Sequence, residues 1–491
     1  MLESRSHISP AGIAIALVLL VLHLPGCDGG PSGEDDASAA PTRPAPRRIV
    51  LVCLDTLRAG RLGCYGHHRD TSPTLDAFAA ENVLFSIAQS QSSQTLISHK
   101  SFFTAKHPLR LIREITFADF DLLRERNESA DFLIRAFREV PSDPFLLELK
   151  NAGYRTAAFT DNVWISADFG FDAGFDEFDE SRGHFAEILP KAFRWLEEHH
   201  DQRFFLFLHT YDTHCPYPCR EPYNSMFNDP RASDIDLEGR CGKPIGDRPG
   251  LMGIGLSEGD KAAIADRYDG GVASADAYME DLFDTLRALN IYDETLIIVL
   301  SDHGESLGEH EQVGHGGLYI EQLMVPFLVK LPASWRIEPG VVDQPVALLD
   351  LMPTILDACG LPVPEDCEGR SLLPLVTGGG AHRRHLVAQT TFREGAEGIS
   401  NPVKRAIQDP GRWLLIHDGQ TDARALFDLL EDPAGLVNVA DRHPEVVEEL
   451  LAVLRTYDAG ETTGVFVAPP ADPISEERKR ALESLGYTGD E

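Results

Sequence analysis

The chain has 491 residues, 43% of them hydrophobic, which is enough to bury a large core with a smaller unit beside it and excludes a chain disordered throughout. Lys and Arg total 44 against 78 Asp and Glu, a net charge of −34, so a phosphate backbone would be repelled and no nucleic-acid partner is expected. An anionic substrate would need local positive charge, which a bound metal ion supplies.

Residues 1–27 read as a targeting segment: Arg5, then the apolar run Ala11 to Leu22, then Leu24-Pro25-Gly26-Cys27. The run is too short for a comfortable membrane span. Its ending resembles the lipobox of bacterial lipoproteins, in which the cysteine is acylated and becomes the mature N-terminus. The expectation is an exported protein, periplasmic or at the cell surface, held to the membrane by a lipid on Cys27; an uncleaved anchor or a plain signal peptide is the alternative. Residues 28–47 are Gly, Ser, Ala, Pro and Asp for the most part, and read as a flexible tether. Eight cysteines include Cys27. Cys359 with Cys367, or Cys241 with Cys215 or Cys219, are candidate disulfides, while Cys53 in a strand reads as plain core.

The main domain is expected over 48–380. Ile49 to Leu54 is a β-branched and Leu run, hence a strand buried on both faces, and it ends at Asp55-Thr56. A helical pattern follows over Thr74 to Asn82. Thr95 precedes apolar positions 96, 97, 102 and 103, which predicts a helix starting there, with Thr95 as N-cap, as an anion-facing residue, or both. His107 to Pro144 is charged and weakly helical. A helix through Leu149 and a strand Tyr154 to Thr160 come next, then the acidic, Phe-rich Phe169 to Asp179, read as a solvated loop, and a helix Glu187 to His199. The strand Phe204 to Leu208 runs into His209-Thr-Tyr-Asp212-Thr-His214, and Cys215 to Gly255 reads as a rim or lid. Tyr268 to Leu289 is an amphipathic helix feeding the strand Thr295 to Leu300, which stops at Ser301-Asp302-His303-Gly304-Glu305 and leads to His315.

Three buried strands thus end in carboxylates and imidazoles, and the ends of parallel strands share a ligand-binding crevice. Such donors suit a divalent metal without thiolate. Alternating strands and helices predict an α/β fold with a doubly wound, mostly parallel central sheet. From 381 to 460 the texture changes to short strands, His385 to Thr390, Trp413 to His417 and Ala425 to Leu429, with a helix Pro444 to Tyr457. This predicts a small antiparallel-sheet-plus-helix subdomain, before a tail 461–491 with a short helix Ser475 to Gly486.

From about Arg48 to Tyr457 the chain resembles the sulfatases of the alkaline phosphatase superfamily. The resemblance rests on Leu54-Asp55-Thr56-Leu57-Arg58, Ala152 to Ala158, Phe169 to Phe178, Asp212-Thr-His-Cys-Pro-Tyr217, Ser301-Asp-His-Gly-Glu305, Leu349 to Leu356, and Leu426-Phe-Asp-Leu429 with Asp432-Pro433. It departs at the nucleophile. The family pattern Cys-x-Pro-Ser-Arg-x-x-Leu-x-Thr-Gly meets Thr95-Leu-Ile97-Ser98-His99-Lys-Ser-Phe102-Phe-Thr104-Ala105, so threonine stands where the family oxidises Cys or Ser to formylglycine. Oxidation of threonine would give a ketone, not that aldehyde.

The resemblance therefore implies a metal-dependent hydrolase of phosphate mono- or diesters, with Thr95 as metal-activated nucleophile, as in phosphoryl-transfer relatives that use an unmodified threonine. Asp55, Thr95, Asp302 and His303 would hold one divalent ion, Mn, Zn, Ca or Mg. His214, matching the family histidine at the transferred group, and His99 and His315, standing for the family's Arg and Lys, would contact substrate or act as acids. Asp212 and His209 are supporting candidates, and Asp212, His214 and His315 are a candidate set for a second ion. The substrate would be a small-molecule, glycan or lipid-headgroup ester. The alternatives are a sulfuric ester hydrolase lacking formylglycine, a phosphoethanolamine- or phosphoglycerol-type transferase, and a noncatalytic glycan or headgroup binder.

Overall fold

The computed structural model describes residues 43–112, 144–161, 164–217, 220–227, 256–380, 385–390, 393–395, 398–400, 404–419 and 421–458. At its centre lies an eight-stranded sheet in the order Gly340–Val342, Val83–Phe85, Phe327–Lys330, Thr295–Leu300, Arg48–Leu54, Phe204–Thr210, Arg155–Thr160, Glu177–Asp179. Arg48–Leu54 pairs in parallel with both Phe204–Thr210 and Thr295–Leu300, and Cys53 lies opposite His209 on one side and Leu300 on the other. The three strands that the sequence singles out are therefore immediate neighbours, and their carboxyl ends open on one edge. Phe327–Lys330 runs antiparallel to its neighbours, so the sheet is mostly, not wholly, parallel.

Period-two alternation divides the central strand between two cores, as a doubly wound sheet requires. Ile49, Leu51 and Cys53 pack with Leu96, Ile97, Phe102 and Phe103 of the helix Thr95–Thr104. Val50, Val52 and Leu54 pack against the helices Pro73–Ala80, His184–His199 and Glu258–Ala288. The last of these starts at Glu258 rather than Tyr268, because Ser257 and Asp260 form a capping box that sets its N-terminus earlier. Glu177–Asp179, expected within a loop, is instead the edge strand of the sheet.

A second sheet carries the strands Leu386–Gln389, Lys404–Asp409, Trp413–Asp418 and Arg424–Asp428, all antiparallel. One face packs Val387, Ile407, Leu415 and Leu426 on Val447, Leu450, Leu451 and Leu454 of the helix Pro444–Asp458; the other meets Leu318 and Leu323 of the main domain. The strand Lys404–Asp409 has charged ends that concealed it in the sequence.

Neither Cys359 nor Cys367 is in a disulfide, which corrects the expected pairing, while Cys215 is disulfide-bonded. Among the described residues no helix is long and apolar enough to cross a membrane. The segment around Cys27, Cys219, Cys241 and the helix Ser475 to Gly486 lie outside the described residues.

Candidate active site

At the end of Arg48–Leu54 the chain turns through Thr56, a β-branched residue at φ 60°, a strained conformation that persists only where its surroundings over-determine it. They do so here. Thr56 N donates to Asp302 Oδ1 at 3.2 Å, its hydroxyl to the Thr213 carbonyl at 2.8 Å, and Leu57 N to Ser301 Oγ at 2.8 Å. The turn thus ties all three strand ends together. Gly304 completes the corner: a Cβ there would lie 2.2 Å from the Glu321 carbonyl oxygen.

Asp55, Asp302 and His303 are fully buried, and one ligand atom from each lies within 4.8 Å of the others. Asp302 Oδ1 accepts from Thr56 N and from His303 N at 2.9 Å, while Oδ2 accepts no hydrogen bond and has imidazole nitrogens of His303 and His99 at 3.4 and 3.5 Å. His303 Nδ1 is 2.9 Å from the Gly304 carbonyl, so it carries the proton and Nε2 keeps its lone pair. Burial, then Asp302 and Glu305, push the Asp55 carboxyl well above its ordinary range, and the Thr95 hydroxyl nearby works the other way. Two carboxylates so close and so deep both ionise only beside a cation. This donor set fits a divalent ion, with Asp55, Asp302 and His303 as its ligands.

The helix Thr95–Thr104 begins where the sequence placed it, with Thr95 as its first residue and Gln94 as its cap. Freed from capping, Thr95 Oγ1 sits 3.2 Å from His303 Nε2. The helix is pinned by Ser98, whose hydroxyl donates to the Asp302 carbonyl at 2.7 Å. One turn on, His99 is carried into the interior: Nδ1 bonds the Thr95 carbonyl at 2.8 Å, Nε2 is fully buried, and burial pushes its pKa down to about 3. His99 thus shares the helix face of Thr95 but lies fully buried, its Nδ1 3.5 Å from Asp302 Oδ2.

His214 and His315 meet, Nε2 to Nε2, at 3.2 Å. Each Nδ1 is committed to a carbonyl, of Cys215 at 2.7 Å and of Ser93 at 3.0 Å respectively. Burial pushes His214 down to about 4 and His315 well below its ordinary value. Asp212 does not join them. Its carboxylate accepts from Phe185 N at 2.9 Å and from the Thr210 hydroxyl at 2.5 Å, so the expected Asp212–His214–His315 metal set is not assembled. His209 Nε2, by contrast, lies 3.1 Å from Asp55 Oδ2 as a supporting residue. Glu305, read only as part of a motif, is fully buried, accepts from the Tyr217 hydroxyl at 3.1 Å and is pushed up to about 8 by burial.

Residues 47–361 match the sulfatase family, and residues 308–458 match the N-sulphoglucosamine sulphohydrolase C-terminal family. The chain belongs to the sulfatase family. Enzymes of the family use a divalent metal. It is 30% identical over 287 residues to the multifunctional alkaline phosphatase superfamily protein PehA of Trinickia caryophylli, covering 52% of this chain and 54% of that protein. Against arylsulfatase K of Homo sapiens it is 32% identical over 183 residues, 36% of this chain and 34% of the relative. The matches thus span about half or less of these curated relatives. The solved phosphonate monoester hydrolase of Agrobacterium radiobacter superposes with TM-score 0.66 at 20% identity, over 85% of this chain and 96% of that one, a likeness of fold.

Proposed function

We propose that the protein is an exported, metal-dependent hydrolase of phosphate esters in which Thr95 is the nucleophile. The observation that carries this reading is a threonine hydroxyl, incapable of becoming formylglycine, held 3.2 Å from His303 Nε2 beside the Asp55–Asp302–His303 donor set. A divalent ion held there would lower the hydroxyl's pKa and offset charge on the transferred group.

The chain's own groups supply the rest. Thr95 Oγ1, 3.2 Å from His303 Nε2, would lie beside an ion held by that nitrogen, which places its oxygen lone pair for attack on phosphorus. The first helical bond after Thr95 runs from Ser98 N to the Gln94 carbonyl at 2.9 Å, so the N–H groups before Ser98 have no carbonyl one turn back, and the helix dipole favours an anion at that end. With both Nδ1 protons committed, His214 and His315 Nε2 can bond each other only by holding a proton between them. Burial keeps both neutral in the free site, and the charge of a phosphoryl group would raise them, so the pair is placed to give a proton to the leaving oxygen.

A phosphothreonine can be cleared by water attacking phosphorus. A sulfothreonine lacks the elimination route that a formylglycine hydrate provides, which disfavours the sulfate-ester alternative. PehA is named for the alkaline phosphatase superfamily and arylsulfatase K for sulfate esters, so the choice of phosphorus rests on Thr95 itself; the disulfide at Cys215 favours an oxidising, exported setting. Paired aryl phosphate, phosphodiester and sulfate substrates, with and without chelator, test the reading. Thr95→Ala should abolish phosphoester turnover and Thr95→Ser retain part of it; sulfate hydrolysis far exceeding every phosphate ester would overturn it.

A further inference from the structure

Cys53, His99 and His209 form a second convergent group, joined to the first site where His209 Nε2 meets Asp55. Cys53 is opposite His209 in the strand register, His99 comes down from the helix Thr95–Thr104, and all three are fully buried. One ligand atom from each lies within 4.8 Å of the others, and the two imidazole rings meet edge-on with centroids 4.9 Å apart.

The tautomers are set from outside the group. His99 Nδ1 faces the Thr95 carbonyl at 2.8 Å, which only accepts. His209 Nε2 faces Asp55 Oδ2 at 3.1 Å, which only accepts once an ion at the first site keeps that carboxylate ionised. With that site loaded, both of these nitrogens carry the protons. The remaining nitrogens, His99 Nε2 and His209 Nδ1, are left with bare lone pairs, and both are buried with no hydrogen-bond partner. Neither ring can donate to the other, and the Cys53 thiol has one proton to offer. An imidazole whose far nitrogen is anchored to a carbonyl or carboxylate is the arrangement that metal-bound histidines adopt.

We propose that Cys53, His99 and His209 bind a second metal ion, a soft transition ion best matched by Cu(I), in a buried trigonal site separate from the Asp55–Asp302–His303 set. A thiolate and two imidazoles with no carboxylate select a thiophilic ion over the hard ions suited to the oxygen-rich site. Metal–nitrogen bonds near 2.0 Å and a metal–sulfur bond near 2.3 Å put trigonal ligand atoms roughly 3.5–3.8 Å apart, so small side-chain movements close the group. On binding, the S–H bond breaks, the proton leaves to solvent and the sulfur–metal bond forms, with no change in oxidation state. A monovalent ion with one thiolate is neutral, which suits full burial. Through His209 the site touches Asp55, so its ion also fixes the orientation of a residue at the first site.

The test needs no turnover, so its failure is distinguishable from failure of the phosphoester reading. Full-length protein, reduced, stripped of metal and reloaded with Mn2+, is titrated anaerobically with Cu(I) against bicinchoninate, and the copper complex is measured by X-ray absorption. One Cu(I) per chain with one sulfur and two imidazole scatterers is expected, with affinity weakened at least about 100-fold in Cys53→Ser. Cys359→Ser, the control for other free thiols, should bind as wild type does. A copper shell of nitrogen and oxygen alone overturns the site even if Cys53→Ser fails to fold. Copper binding within threefold of wild type in folded Cys53→Ser does the same, and tighter Zn2+ than Cu(I) binding in a parallel titration overturns the choice of ion.

Discussion

Replacing Asp302 by Asn should act in opposite directions on metal-free and metal-loaded protein. In the metal-free site the Asp55 and Asp302 oxygens lie within 4.8 Å of each other, fully buried. Two ionised carboxylates at that separation repel by about 3–4 kcal/mol at an effective dielectric constant near 20. Proton uptake by Asp55, whose carboxyl is already pushed well up, relieves part of that repulsion, leaving a gain of about 1–2 kcal/mol for the neutral amide. An amide oxygen can still accept from Thr56 N and His303 N, so the strand-end turn should survive. In a chain of this size the gain raises Tm by roughly 1–2 °C. Metal affinity should fall by at least about 100-fold, because half of the anionic charge goes, where loss of a merely supporting partner already costs 10- to 100-fold. Calorimetry with chelator, and again with added Mn2+, Zn2+, Ca2+ or Mg2+, together with metal analysis of the purified protein, reads both effects. A chelated Asp302→Asn protein melting well below chelated wild type would refute the repulsion argument, and an undiminished metal-dependent rise in Tm would refute Asp302 as a ligand.

Gly304→Ala should destabilise by roughly 2–3 kcal/mol and lower metal content, since its Cβ would lie 2.2 Å from the Glu321 carbonyl; a thermal scan indistinguishable from wild type would show that the corner yields. His214→Gln should slow turnover by about 10²-fold or more for alkyl phosphate esters and far less for 4-nitrophenyl esters, which need no proton on leaving; equal losses would remove the histidine pair from the acid role. Lys330, pushed down from 10.5 to about 8 by burial, binds its proton less tightly folded than unfolded. Its contribution is therefore complete above pH 10.5 and lost as pH falls towards 8, a change of about 3 kcal/mol at 1.36 kcal/mol per unit. Denaturant melts of Lys330→Met should lack that segment of the stability–pH curve, and an unchanged curve would sink the assignment.

How far the sequence alone carried can be traced residue by residue. Continuous apolar runs at Ile49 to Leu54, Phe204 to Leu208 and Thr295 to Leu300 marked buried parallel strands, because only a sheet covered on both faces tolerates such runs. The abrupt stops at Asp55, His209 and Asp302 placed polar ligands at their ends, and Thr95 at the start of an apolar-spaced helix placed a hydroxyl beside an anion-favouring terminus. These were local signals, readable within a few residues. Tertiary structure alone decided the rest. That Arg48–Leu54 lies between the other two strands is a matter of pairing, and it brings Asp55, Asp302 and His303 to one point. Whether a histidine looks outward or inward depends on what its element packs against: His315 reaches His214, whereas His99, equally polar in sequence, is turned inward by the sheet beneath its helix. Asp212 went to the N-terminus of a neighbouring helix because Phe185 N needed an acceptor there, a demand arising 27 residues away in sequence. Cys53 read as core and is core, yet its register opposite His209 gives it two imidazole neighbours that no spacing along the chain could announce, because side chains meet across strands by pairing and not by order.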